Sequence, residues 1–272
     1  MAATTPSLAP PPRIDLRRRG ALTAIAALVV LAVLAAIAWH ATGISLGLLA
    51  GGWSGMVEFV GEAIPPATSW DEVIRPGIDA SFITLWTALL GTLFAIPASL
   101  LLAVLGASST APNRGVYQLA RGILSALRAV PEVVFALVFV VAVGLGPFPG
   151  VLALTVHTIG VMGKLYSEAI EEADPGPADA LRVAGASRAQ QVTHAVLPGV
   201  TPTLVGLTLY RFDVNVRASL VLGLVGAGGI GFEINQAIKL FRFDEMLTYI
   251  LIVLVMVVAV DLLSGWIRRR IA

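Results

Sequence analysis

Lys164 and Glu168 stand four residues apart in this sequence, as do Arg211 and Asn215, Asp213 and Arg217, and Arg128 and Glu132. Side chains at that spacing share one face of a helix and can pair. His157, Gly160, Lys164 and Glu168 also recur at helical spacing. These groups lie in or beside long apolar runs, where a charge is costly and defaults to function. Two readings of the set stay open. In one they form a polar pathway, whose lysine and arginines can neutralise an anion; arginine does so through bidentate hydrogen bonds. In the other the pairs staple helices together. Hydrolytic chemistry is not visible, because no nucleophile stands with a convincing base. His40, His157 and His194 are far apart and lack companion ligands at metal-binding spacing. Cysteine is absent, which excludes disulfides and thiolate chemistry.

The elements that carry these groups follow from composition. Of 272 residues, 57% are hydrophobic and 13% charged, against about 25% charged in an ordinary soluble domain. One soluble core cannot bury so much apolar surface, and a disordered chain is excluded by the same numbers. An all-α membrane protein remains, in contact with the lipid bilayer. A net charge of +1 implies no electrostatic pull on nucleic acid. A span needs about 20 apolar residues. Six fit: 20–38, 82–105, about 116–143, about 151–170, 198–224 and 246–267. The two prolines and two glycines of 146–150 must end one span before the next begins.

Lysine and arginine in the flanks set the orientation. Arg13, Arg17, Arg18 and Arg19 precede the first span and Arg268, Arg269 and Arg270 follow the last. Both termini are therefore expected in the cytoplasm, in a multi-pass membrane protein. Residues 1–19 read as a disordered basic tail and 20–78 as an N-terminal helix with an external amphipathic segment at 45–78; the main transmembrane domain is 79–272. The first span is expected to be an uncleaved anchor, since its apolar run exceeds that of a signal peptide.

The most polar internal segment is 173–198, between spans four and five. Asp174, Pro175, Gly176 and Pro177 stop the incoming helix. A short helix over 178–184 is predicted to end at Gly185, because glycine enters the left-handed region cheaply. Ser187 and Gln190 then form a capping box that starts a second helix, and Leu197-Pro198 ends the unit and enters span five. Arg182 and Arg188 lie on this unit, facing water or a partner.

Asp179-Ala180-Leu181, three residues, Gly185, nine residues, then Ala195-x-Leu197-Pro198 resembles the EAA loop of ABC-importer permeases. Aspartate stands for the family's glutamate, leucine for its second alanine and alanine for its isoleucine. The resemblance implies that this loop, including Ala186 and Ser187, is the coupling helix that docks on a cytoplasmic ABC ATPase dimer. Leu165-Tyr166-Ser167-Glu168-Ala169-Ile170-Glu171, the run from Leu209 to Arg217 and the run from Val221 to Gly231 look like the phosphonate-family permeases, with Asp213 in place of an expected glutamate. The likeness covers about residue 80 to the C-terminus. It implies the fold of a type I ABC importer permease, a core of five helices per subunit with one extra N-terminal helix here. It also implies a second permease subunit, identical or homologous, and a periplasmic or lipid-anchored binding protein that delivers phosphonate, phosphate or a related oxyanion.

Gly226-x-Gly228-x-x-Gly231 fits a dinucleotide-binding pattern but follows no strand. It predicts instead a tight turn and a short re-entrant helix near a periplasmic gate. In the family resembled, glycines there, Gly229 among them, let the two subunits approach closely. No phosphate-binding loop is present, since Gly163-Lys164 lacks the preceding glycine and is followed by Leu165. The chain is therefore expected to be a transport subunit and not an enzyme, with no cofactor of its own, ATP and Mg being bound by the partner ATPase. The alternative is a secondary transporter or channel for a small anion that works alone, which leaves the EAA-like loop unexplained.

Overall fold

The computed structural model describes residues 16–271, and among them every regular element is helical. In chain order these are α1 (Leu16–Ala41), α2 (Leu46–Gly51), α3 (Trp53–Ala63), α4 (Arg75–Gly106), α5 (Arg114–Ala129), α6 (Glu132–Val143), α7 (Pro147–Glu171), α8 (Gly176–Val183), α9 (Arg188–Gln191), α10 (Leu197–Leu224), α11 (Ile230–Lys239) and α12 (Phe243–Ile271). Single π-turns at Trp70–Ile74 and Val192–Val196 lead into α4 and α10. The tail expected at 1–19 lies, up to residue 15, outside the described residues; from Leu16 the chain is α1. The chain divides into two units, Met1–Glu58 and Phe59–Ala272. The first contains α1, α2 and the start of α3. The second contains the helix bundle, in which α7 packs against α4, α5, α6 and α10.

Five stretches are long and apolar enough to cross a membrane: Thr23–Ala41, Trp70–Gly106, Pro147–Glu171, Arg188–Leu224 and Phe243–Arg270. The α5–α6 pair makes a sixth if counted as one span, but it is bent by 80°. The straight helix expected at 116–143 is thus broken, and Pro131 is the reason. It has no N–H to continue the ladder, and it drives the residue before it out of the helical region. Val130 is extended accordingly, at φ −90° and ψ 122°.

The packing pattern is the reverse of a soluble bundle. The buried residues of α4 are all small, among them Gly77, Ala80, Thr84, Ala88, Gly91, Ala95, Ser99 and Ala103, at spacings of three or four. Its large residues Phe82, Trp86, Phe94 and Leu101 are more than half exposed. Small inward faces allow close helix approach where no hydrophobic effect drives association, and lipid takes the large side chains. At Gly160 of α7 an added Cβ would sit 2.8 Å from the backbone nitrogen of Arg128 in α5. A break separates α6 from α7, but it lies at 144–146 and not across 146–150: Gly144 and Gly146 have φ of 93° and 132°, and α7 starts at Pro147, because proline is tolerated in a first helical turn.

Candidate functional site: the polar loop and the mid-helix charges

The loop after α7 folds as its sequence dictates. Pro177 lies in the first turn of α8, and Gly185 takes φ +84° to end it. The turn is closed by Gly185 N–H to Arg182 O at 3.0 Å and Ala186 N–H to Leu181 O at 2.9 Å. Ser187 accepts from Gln190 N–H while the Gln190 side chain accepts from Ser187 N–H, so the capping box is complete. Asp179 and Arg182 pair across the surface of α8 at 3.0 Å. Val183, the last residue of α8, is 88% exposed.

Two features of this unit go beyond expectation. The second helix enters α10 at Leu197-Pro198 without a break. It runs from Arg188 to Leu224 as one 37-residue rod. The π-turn is what carries it past the proline: Leu197 N–H reaches back five residues to Val192 O, and Pro198 stands where its missing N–H matters least. Arg188 is exposed, and it is also anchored on the protein. Its Nη1 donates to Ala111 O at 2.8 Å and Pro112 O at 3.1 Å, holding the α4–α5 loop. That loop is held from the other side by Glu171, which accepts from Ser108 N–H at 2.7 Å and from Arg121 Nη2 at 2.8 Å, while Arg121 Nε donates to Gly106 O at 2.7 Å. Arg188→Ala removes two charge-assisted bonds, about 1–2 kcal/mol of local restraint. Faster amide exchange at 107–113 in the purified protein, with the rest of the bundle unaffected, is the expected result.

The charges within the long helices separate into paired and unpaired groups. Lys164 and Glu168 pair at 2.6 Å, as their spacing predicts. Arg217 pairs with Asp213, the aspartate being buried and the arginine half exposed. Asn215 is fully buried and satisfied: its Nδ2 donates to Thr92 Oγ1 at 2.8 Å and Thr158 Oγ1 at 3.0 Å, tying α10 to α4 and α7. Arg128 and Glu132 do not meet, because the break at Pro131 abolishes the helical register between them. Arg128 is exposed, and Glu132 Oε2 instead lies 3.5 Å from His157 Nε2. The His157 Nδ1 is 3.1 Å from Val130 O. Arg211 is buried and makes no hydrogen bond or ion pair among the described residues; its Nε is enclosed and unsatisfied.

The glycine turn after α10 is as predicted, and a short helix, α11, follows it. Gly226, Gly228 and Gly229 have φ of 99°, 71° and 73°. Within the chain these glycines bring their own helices together. Gly229 lies against Thr84 and Gly231 against Leu220 O, and Ile230 N–H donates to Thr84 Oγ1 at 3.0 Å. Gly146 N–H donates to Gly226 O at 3.0 Å, joining this turn to the α6–α7 turn. Burial raises the Glu233 carboxyl, in the first turn of α11, above its ordinary value.

Comparison with known proteins gives this geometry its context. Residues 95–272 match the family described as binding-protein-dependent transport system inner membrane component. The chain belongs to that family. It is thus a multi-pass inner-membrane permease. Among relatives, the phosphite transport system permease protein PtxC of Stutzerimonas stutzeri is 42% identical over 89% of this chain and 87% of its own length. The phosphate-import permease protein PhnE of Mycolicibacterium smegmatis is 40% identical over 76% of this chain and 40% of its own length. Solved structures with the same fold include the inward-facing MetNI methionine ABC transporter, at TM-score 0.62 and 23% identity over 74% of this chain and 96% of that one. A bacterial ABC transporter importing the polysaccharide alginate matches at TM-score 0.62 and 19% identity, over 94% of this chain and 99% of that one. The fold is that of a type I ABC importer permease.

Three features of this permease were not singled out from sequence. Arg121 and Glu171 are 50 residues apart, so no helical spacing joins them. The same holds for His157 and Glu132. Val183 reads as one more apolar residue until its exposure is known.

Proposed function

We propose that this chain is the membrane-spanning subunit of an ATP-driven importer for phosphite, phosphonate, phosphate or a related oxyanion. The single observation that carries the substrate class is the identity with the phosphite permease over nearly the whole of both chains. In this reading a second permease subunit, identical or homologous, completes the pathway. A periplasmic or lipid-anchored binding protein delivers the solute, and a cytoplasmic ATPase dimer binds ATP and Mg and hydrolyses the ATP. Both termini are cytoplasmic. The transport domain is 79–272, and 20–78 is an added N-terminal segment.

The loop 173–198 is the coupling element. Asp179, Ala180, Arg182 and Val183 present α8 to the ATPase, and Gly185, Ala186 and Ser187 fix its angle to the rod that begins at Arg188. Leu197 and Pro198 carry the rod onward into α10. Nucleotide binding moves α8, the rod transmits the displacement to the pathway, and access alternates. The polar residues of α6, α7 and α10 line or brace that pathway, and the turn 226–231 forms its outer gate. Reconstitution tests the whole. This chain, with its ATPase and binding protein in liposomes, should import inorganic phosphate, phosphite or methylphosphonate only when ATP is present. Import by the permease alone would establish a secondary transporter or channel instead.

A further inference from the structure

Arg211 stands at the midpoint of α10 (Leu197–Leu224), about 21 Å from its start at 1.5 Å per residue. Only 7% of its surface is exposed, its Nε has no acceptor, and no acid pairs with it among the described residues. The neighbouring cations are different: Lys164, Arg217 and Arg121 each hold a carboxylate. Asn215, one turn further along, shows how a structural polar residue is accommodated at this depth, with both Nδ2 hydrogens bonded to threonines. A buried cation left without a partner is strongly unfavourable, and an apolar side chain of similar volume would pack there at less cost.

One carboxylate, that of Glu132, acts on Arg211 electrostatically without pairing with it. Glu132 opens α6 immediately after the break, and Arg211 lies within the field of its carboxylate. Glu132 Oε2 instead lies 3.5 Å from His157 Nε2, and the other ring nitrogen of His157 is 3.1 Å from Val130 O. The first turn of α6 has no side-chain cap, so its N-terminal end adds positive potential around Glu132. Broken helices at mid-membrane depth are where transporters hold charged solutes.

We propose that Arg211 is the oxyanion contact of the translocation pathway and Glu132 its displaceable counter-charge. An incoming phosphorus oxyanion takes the open guanidinium donors in bidentate fashion. Glu132 swings away with α6 about the break at Val130-Pro131, and it returns to expel the anion. Lys164–Glu168 and Asp213–Arg217 are then helix staples and not contacts. The proposal rests on the oxyanion-importer reading above.

The test uses the complete complex in liposomes, with whichever of inorganic phosphate, phosphite and methylphosphonate the unaltered complex imports. Import of none of them would overturn both readings. If one is imported, Arg211→Gln should lower the anion moved per ATP hydrolysed at least tenfold, a ratio that simple loss of folded protein does not change. The double variant Arg211→Gln with Glu132→Gln should stay equally low. Recovery of the ratio in the double variant would make Arg211 a structural partner of Glu132 and overturn the proposal, as would an unchanged ratio in Arg211→Gln; both leave the importer reading intact. Should Arg211→Gln fail to assemble, Arg211→Lys keeps the charge and loses the bidentate fork. A several-fold lower ratio supports the proposal, and an unaltered one overturns it.

Discussion

Val183→Glu is expected to abolish ATP-dependent uptake, because the ATPase no longer stays on the permease. Val183 is 88% exposed at the end of α8, an apolar side chain without cover on a helix that also carries Asp179 and Arg182. If α8 docks in a groove, this residue enters it. Burying a valine contributes about 1.5–3 kcal/mol, and forcing a carboxylate into the same place costs more than that gain. A loss of about 3 kcal/mol is a hundredfold or more in affinity, and it occurs once per permease subunit. Pull-down of the ATPase from detergent extracts measures it directly. Retention of the ATPase at the unaltered level would remove α8 from the interface. Val183→Ile, which keeps the apolar surface, should retain it.

The second large effect concerns stability. Arg217→Ala leaves Asp213 buried on α10 with no cation, and breaking a buried pair from one side costs about 3–5 kcal/mol. Arg217 is about half exposed, so the low end of that range, about 3 kcal/mol, is expected here. A lower unfolding temperature in detergent should report it. The double variant Asp213→Asn with Arg217→Gln removes both charges together and should recover most of the loss. Equal instability of single and double variants would mean that Asp213 is held by something other than Arg217.

The polar loop was legible residue by residue, because its signals are local. A glycine that must turn left, a serine with glutamine three residues on and a proline near a helix start each act within one turn of chain. The i,i+4 pairs Lys164–Glu168 and Asp213–Arg217 were legible for the same reason. Pro131 was visible but ambiguous, since membrane helices tolerate prolines when neighbours satisfy the freed backbone groups. Pro97 and Pro202 are two such cases, inside α4 and α10. Only packing shows that the chain breaks at one proline and continues through the others. The Arg128–Glu132 expectation failed with that bend. The grip of Arg188 and Glu171 on the α4–α5 loop joins residues 63 to 77 apart, a distance at which spacing carries no information.

The π-turn at Val192–Val196 has a consequence for how the protein can vary. It inserts an extra residue into an otherwise regular screw, and each residue of an α-helix advances the azimuth by about 100°. Deleting one residue from 192–196 would restore an ordinary ladder, yet it would also rotate the whole distal shaft relative to α8, carrying Arg211 off its bearing toward Glu132 and His157. The wide turn thus acts as an indexing joint that keeps two ends of one shaft in phase. Length changes there should be far less tolerated than side-chain changes.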